Sequence, residues 1–232
     1  MTHAATGKHM TLRRENIWTD PPPPPPFFID STNRSYYNGR SELDSSVRAM
    51  KAGTFFRMFH VKDGREVALR APRWSDLDDM LEFINALVDE GVEITVNRKM
   101  TRDEEVDWLA GYLSRVEKDQ GVGIVAEVDG RFVGQVQVYP KGGRSSHVGV
   151  LGISLAKDYR DLGIGSELMR EAEDQARWLG IEVMTLSVFA TNERAIHVYE
   201  KAGYREVGRI PRHHLRDGEY IDDVIMAKDL GP

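Results

Sequence analysis

The sequence predicts an α/β domain, and three observations carry that prediction. From Val67 onward, strand-like runs alternate with amphipathic helical patterns. Two Asp-Gly pairs, Asp129-Gly130 and Asp217-Gly218, each lie between strand-like runs, which marks a two-residue hairpin turn. Between them, Ile153–Ser166 reads as a strand entering a glycine-bearing turn and then the first turn of a helix.

The elements follow in order. Val67-Ala68-Leu69-Arg70 forms a first strand. Ser75 stands where it can cap a helix carrying Leu77, Met80, Leu81, Ile84, Leu87 and Val88, and Gly91 ends that helix. A second helix opens on the capping box Thr101-x-x-Glu104 and sets Val106, Leu109 and Leu113 on one face, with Trp108 and Tyr112 beside it. Gly123–Val128 and Arg131–Tyr139 then flank the Asp129-Gly130 turn, and a looser turn at residues 142–146 leads into a strand over His147–Leu155. The helix after the glycine turn runs through Glu167, Leu168, Met169, Ala172, Ala176 and Leu179 and stops at Gly180. A strand at Leu186–Ala190 precedes another helix, capped by Thr191 or Asn192 and terminated by Gly203. The terminal hairpin joins Arg205–Leu215 to Tyr220–Ala227.

Residues 1–57 differ in character from 58–232. They hold six consecutive prolines at 21–26 and no sustained apolar period, the composition of a polyproline II segment in a disordered extension. Three readings stay open for it: a recruitment segment, a dispensable tail, or sequence upstream of a true start at Met50 or Met58.

The domain at 58–232 is long enough to bury one core. Hydrophobic content of 41% and charged content of 29% suit a soluble globular protein. A net charge of −6 argues against general nucleic-acid or anionic-membrane binding and suits a cationic amine substrate. The absence of cysteine excludes disulfides, thiolate catalysis and cysteine-based zinc sites, and accords with a cytoplasmic location. No apolar run reaches the roughly 18 residues of a membrane span, and the N-terminus lacks a secretory signal's apolar core. The chain is compatible with a homodimer.

The glycine turn is an anion site by construction. Amides near residues 162–165 have no intrahelical partner, and the helix dipole adds to their attraction for a phosphate. Gly163 and Gly165 let a pyrophosphate approach the main chain, with Arg160 adding charge. Alone, Gly-x-Gly is equally a tight connection, since neither the dinucleotide-binding nor the Walker pattern is complete.

A second segment narrows the reading. In order and spacing, R-x-x-G-x-G at Arg160–Gly165 is followed by a strand and then by N-x-x-A-x-x-x-Y-x-x-x-G-Y at Asn192–Tyr204. This pair of motifs resembles the GNAT superfamily of acyl-CoA N-acyltransferases, and the resemblance spans about residues 60–230. It implies a mixed central sheet flanked by helices, acetyl-CoA as co-substrate, an amine acceptor and no metal. By the same resemblance, the main chain of Asp161, Leu162, Gly163, Ile164, Gly165 and Ser166 would hold the pyrophosphate. Ile153, Ser154 and Leu155 would pair with the pantetheine arm as an added strand, and Gly152 would sit on a bulge that aims an N–H at the thioester oxygen. Asn192 would contact the cofactor arm and is equally explained as an N-cap. Tyr199 would protonate the departing thiolate, or else be a core aromatic.

The general base is open at this level. Ser187 occupies the position of the glutamate used by the branch that acetylates ribosomal-protein N-termini, and a serine is not a useful base at neutral pH. His147 matches the base position of the histone-acetylating branch, and the alternative is a solvated strand end. Glu93, in the loop between the first two helices, is a third candidate, with an exposed loop acid as its plain alternative. His213-His214 and the acids after them suggest a metal site, but adjacent strand residues point to opposite faces, so none is expected. The last hairpin, residues 216–222, resembles the branch of polyamine and ribosomal-protein acetyltransferases. Because Ser187 replaces the N-terminal enzymes' glutamate and the chain is acidic, the acceptor expected is a small amine, polyamine or amino-acid-like molecule, with a protein N-terminus or lysine as the alternative. A non-catalytic acyl-CoA sensor is the reading from another class.

Overall fold

The computed structural model describes residues 50–231. The proline run and the rest of residues 1–49 lie outside the described residues. Within them, an eight-stranded mixed sheet has the order β1-β2-β3-β4-β5-β6-β8-β7. It comprises β1 (Phe55–His60), β2 (Glu66–Arg70), β3 (Val122–Val128), β4 (Arg131–Pro140), β5 (Val148–Leu155), β6 (Val183–Phe189), β7 (Arg205–Arg216) and β8 (Glu219–Asp229). The four α-helices are α1 (Leu77–Glu90), α2 (Arg102–Glu117), α3 (Ile164–Trp178) and α4 (Glu193–Lys201). Every neighbouring pair of strands is antiparallel except β5 and β6.

The sequence patterns place most of these elements. Asp129 and Gly130 both have positive φ, as do Asp217 and Gly218, which is what a tight type I′ turn demands of its central pair. The Thr101 side chain accepts from the Glu104 amide while Glu104 reaches back to the Thr101 amide, closing the capping box. Ile164, Leu168, Met169, Ala172 and Ala176 form the buried stripe of α3, which packs across β3, β4 and β5. Helices α1 and α2 pack together and against β4 and β3 respectively.

Two features differ from the sequence expectations. Strand β1 precedes Val67 and crosses the boundary drawn at residue 57, with Met50 already buried. Its alternation is masked because Phe55 and Met58 are exposed on an edge strand. Ser75 does not cap α1; it lies in a 3-10 turn at Trp74–Asp76. That entry is fixed instead by charge: Arg70, buried on β2, holds both oxygens of buried Asp76 at 2.8 and 2.7 Å and Glu127 on β3 at 2.7 Å. Removing one partner from a buried network of this kind costs about 3–5 kcal/mol.

The parallel pair positions the site. Strands β5 and β6 pair only at Val148/Val183, Gly149/Met184 and Val150/Thr185, although they run on to Leu155 and Phe189. At the closed end Gly149 is required, since a Cβ there would stand 2.7 Å from Val138 Cγ1 and 3.1 Å from Ile181 Cγ2. Beyond Val150 the strands part. One edge of residues 151–155 remains bonded to β4, through pairs from Leu151/Val138 to Leu155/Gly134, and the other faces a cleft. No helix among the described residues is long and apolar enough to cross a membrane.

Candidate active site

The cleft between the parted strands has a volume of about 740 Å³. One wall is the free edge of β5, from Leu151 to Leu155, continued by Arg160 and Gly165. The other is made by β6, α4 and the terminal hairpin, with Ser187, Phe189, Tyr199, His214 and Asp223 among its side chains. The loop after α1 closes one side through Gly91–Thr95.

At the end of the first wall, the turn from β5 to α3 offers main-chain donors. The amides of Ser166 and Glu167 bond back to the Gly163 carbonyl, while those of Asp161, Leu162, Gly163, Ile164 and Gly165 have no backbone acceptor among the described residues. Asp161 at φ 64° and Gly163 at φ 92° turn the chain into a concave run of N–H groups. Gly163 is the N-cap of α3, and a Cβ there would project into open space. Positive helix-end charge and free donors thus meet at one point.

Arg160 lines the cleft with its guanidinium already engaged within the protein. Its guanidinium grips Glu90 at the end of α1 with two bonds, of 2.5 and 2.8 Å, and its Nε donates to the Leu155 carbonyl at 3.0 Å. Hydrogen bonding to Arg160 holds the Glu90 carboxyl below its ordinary pKa. Arg160 therefore lines the cleft as a brace with its charge already compensated. Gly152 is corrected: β4 and β5 stay in continuous register past it, without a bulge. It is exposed in the cleft, and a Cβ there would meet nothing.

The proton-transfer candidates separate clearly. His147 is exposed just before β5, at the closed end of the parallel pair, and its carbonyl accepts from Glu182 and Val183. It lies outside the cleft lining, five residues before Gly152, or about 16 Å along an extended strand. The structure does not bring it together with the side chains of the cleft. Glu93 does line the cleft, with its side chain 17% exposed. Thr191 donates to it, and Arg216 lies 3.8 Å away while donating to the Gly91 carbonyl at 2.6 Å. It is thus a held acid, and the solvated-loop alternative fails. Asn192 caps α4, accepting from the Ala195 amide at 3.1 Å, and its side chain reaches the cleft. Tyr199, two turns on, also faces the cleft, its ring edge-on to Tyr204 at 6.2 Å. Burial pushes its phenol up to about 12, so it keeps its proton at neutral pH.

The terminal hairpin adds what strand alternation hides. Its register jumps from Ile210/Asp223 to His214/Ile221, so three residues of β7 stand against Asp222 alone. Arg212 lies in this bulge at φ 55°, and its amide donates to the Asp222 carboxylate at 2.9 Å. Both imidazoles consequently line the cleft, their ring centroids 4.8 Å apart. The alternation argument against a shared ion does not hold, since donor atoms of His213, His214 and Asp223 lie within 4.8 Å of one another. Both Asp223 oxygens, however, are already engaged: Ser187 Oγ donates to Oδ2, and His214 Nε2 lies 3.0 Å from Oδ1. Pro211 was the available signal for the bulge, because proline in a strand is confined to edges and irregularities.

Residues 83–204 match the model of the Acetyltransferase (GNAT) family. The L-amino acid N-acetyltransferase AaaT of Escherichia coli (strain K12) is 36% identical over 107 residues, which cover 45% of this chain and 66% of AaaT, just under two thirds of its length. An N-alpha-acetyltransferase of Sulfurisphaera tokodaii is 27% identical over 181 residues, covering 73% of this chain and 96% of that protein. Among solved structures, yncA of Salmonella typhimurium with its cofactor acetyl-CoA shares the fold at a TM-score of 0.64 and 19% identity, covering 76% of this chain and 96% of that one. This chain belongs to the acetyltransferase (GNAT) family.

Proposed function

We propose that the protein acetylates the amino group of a small amino-acid-like molecule, taking the acetyl group from acetyl-CoA directly. One observation carries the reading: the cleft where β5 and β6 part has free main-chain donors at one end and ionisable side chains at the other. A long, anionic donor substrate and a short, polar acceptor fit those two ends.

The amides of Asp161–Gly165 suit a pyrophosphate, because they are convergent and lack other acceptors. The free edge of Ile153–Leu155 suits an amide-bearing arm laid alongside as an extra strand. Asn192 and Tyr199 stand across from that edge, and Tyr199, protonated at neutral pH, is the donor to the leaving sulfur. At the acceptor end Glu93 is the held anion for an ammonium group, and neighbouring Arg216 is a cation suited to a carboxylate. That combination, and the similarity to AaaT, support an amino acid over a polyamine.

A panel of amino acids, polyamines and N-terminal peptides, incubated with acetyl-CoA while free thiol is followed, tests this reading. Thiol release with free amino acids is expected. Release with peptides alone would move the acceptor to protein N-termini, and release with none despite acetyl-CoA binding would leave a sensor.

A further inference from the structure

Resting on that acceptor reading, we propose that His214 is the catalytic base of the amine half-reaction, oriented by Asp223, which Ser187 in turn secures. The two family motifs supply an acid, Tyr199 on α4, but no proton acceptor. The only side chains in the cleft linked as a hydrogen-bonded chain ending in an imidazole are these three, among the described residues.

The sheet puts them together. Ser187 and Phe189 are two apart on β6, and Asp223 pairs with Phe189 in register, so all three share one face. His214 pairs with Ile221, two residues from Asp223, and so reaches the same face from β7. Its ring stacks on Phe189 at 3.7 Å and 8°, which fixes the imidazole plane. Asp223 is only 2% exposed.

Polarity follows from the donors. An ionised carboxylate only accepts, so Nε2 of His214 carries the hydrogen and Nδ1 is left as a free acceptor. Nδ1 makes no hydrogen bond among the described residues, and the side chain, 17% exposed, lines the cleft. Imidazole is the side chain suited to taking a proton near neutral pH. Ser187 donates to Asp223 and not to the imidazole, so the triad is not a serine nucleophile with its base. The order Ser-Asp-His makes the hydroxyl a second support for the carboxylate. Two of its members, Ser187 and Asp223, are positioning residues.

The protons balance through this arrangement. An acceptor ammonium gives one proton to His214 Nδ1, and the freed nitrogen pair forms the C–N bond at the thioester carbonyl. As the C–S bond breaks, the sulfur takes the Tyr199 phenol proton, and the second nitrogen proton restores the phenol. His214 returns its proton to solvent, leaving amide, free thiol and one released proton. Asp223 on β8 and His213 on β7 lie against the imidazole, and the other titratable or charged groups lining the same cleft on this side are Arg216 on β7, Glu93 from the loop after α1 and Tyr199 on α4.

The test uses the full chain and the best amine from the panel. His214→Gln should lower kcat about 100-fold while the acetyl-CoA Kd stays within about twofold, and Asp223→Asn should lower kcat about 10-fold. Both should alter the acid limb of the kcat/KM profile, and free imidazole should partly rescue His214→Ala. Nitrogen-15 NMR of the wild type should show the His214 proton on Nε2. A wild-type rate in His214→Gln, a proton on Nδ1, or activity abolished by chelator and restored by zinc would each overturn the relay alone. A wild type that binds acetyl-CoA yet releases no thiol with any amine overturns the acceptor reading and the relay with it.

Discussion

The two walls of the cleft are made of different material. The β5–α3 wall presents backbone: a free strand edge at Leu151–Leu155 and a run of unpaired amides at Asp161–Gly165. The facing wall presents side chains, from Ser187 on β6, Tyr199 on α4, and His214 and Asp223 on the hairpin. Backbone recognition depends on chain direction and needs only that a few residues be small or adopt positive φ. Side-chain chemistry depends on which faces several distant strands turn toward one point. Substitutions should therefore divide the same way, with the backbone wall governing acetyl-CoA affinity and the side-chain wall governing turnover.

The largest effect expected on the proposed acid comes from Tyr199→Phe. The ring packing on Tyr204 is kept and only the hydroxyl is lost. Turnover should fall about 10- to 100-fold with the acetyl-CoA Kd unchanged, as measured by steady-state kinetics and by titration calorimetry. A loss of affinity in place of turnover would erase the division between the walls. Next in size is Gly163→Val, which tests the other wall. No protein atom obstructs a side chain at this position, but a β-branched residue at φ 92° is strained, and its methyl groups would project where the proposed pyrophosphate lies. The acetyl-CoA Kd should rise about 10-fold, equivalent to about 1.4 kcal/mol, while kcat at saturating donor changes little. An unaltered Kd would refute the assignment of the turn.

This division also explains what the sequence disclosed. The turn, the Thr101 capping box, both Asp-Gly hairpins and the Asn192 cap are local: their residues are neighbours in the chain, and their chemistry is fixed by spacing. The Ser187–Asp223–His214 chain joins residues up to 36 positions apart. Its register is displaced by a bulge that defeats strict alternation, so the two histidines were assigned to opposite faces although both line the cleft. His147 lies away from the cleft for a related reason, since a motif match locates a residue on a strand but not the point at which that strand leaves its neighbour. Arg160 and Glu93 have roles set by partners 70 and 98 residues away, Glu90 and Thr191, which no local pattern discloses.

The smallest effect concerns the brace beneath the backbone wall. Glu90 and Arg160 lie about a fifth exposed, with side chains 24% and 19% accessible, and the pair ties the end of α1 to the turn. Arg160 keeps the Glu90 carboxyl below its ordinary value of 4.5, so the folded state binds this proton less readily than the unfolded state does. The pair's contribution is present above the unfolded value and disappears as pH falls through the lower folded one. For a partly solvated pair it amounts to at most about 1 kcal/mol. Glu90→Gln should therefore be slightly less stable than wild type at pH 7 in urea unfolding, and the two should converge as pH falls through the lowered folded value. Because the amides of Asp161–Gly165 do the proposed anion binding, this substitution should leave acetyl-CoA affinity near its wild-type value. A Kd shift approaching that of Gly163→Val would show that the turn depends on its brace, and that the backbone wall is less self-sufficient than its geometry implies.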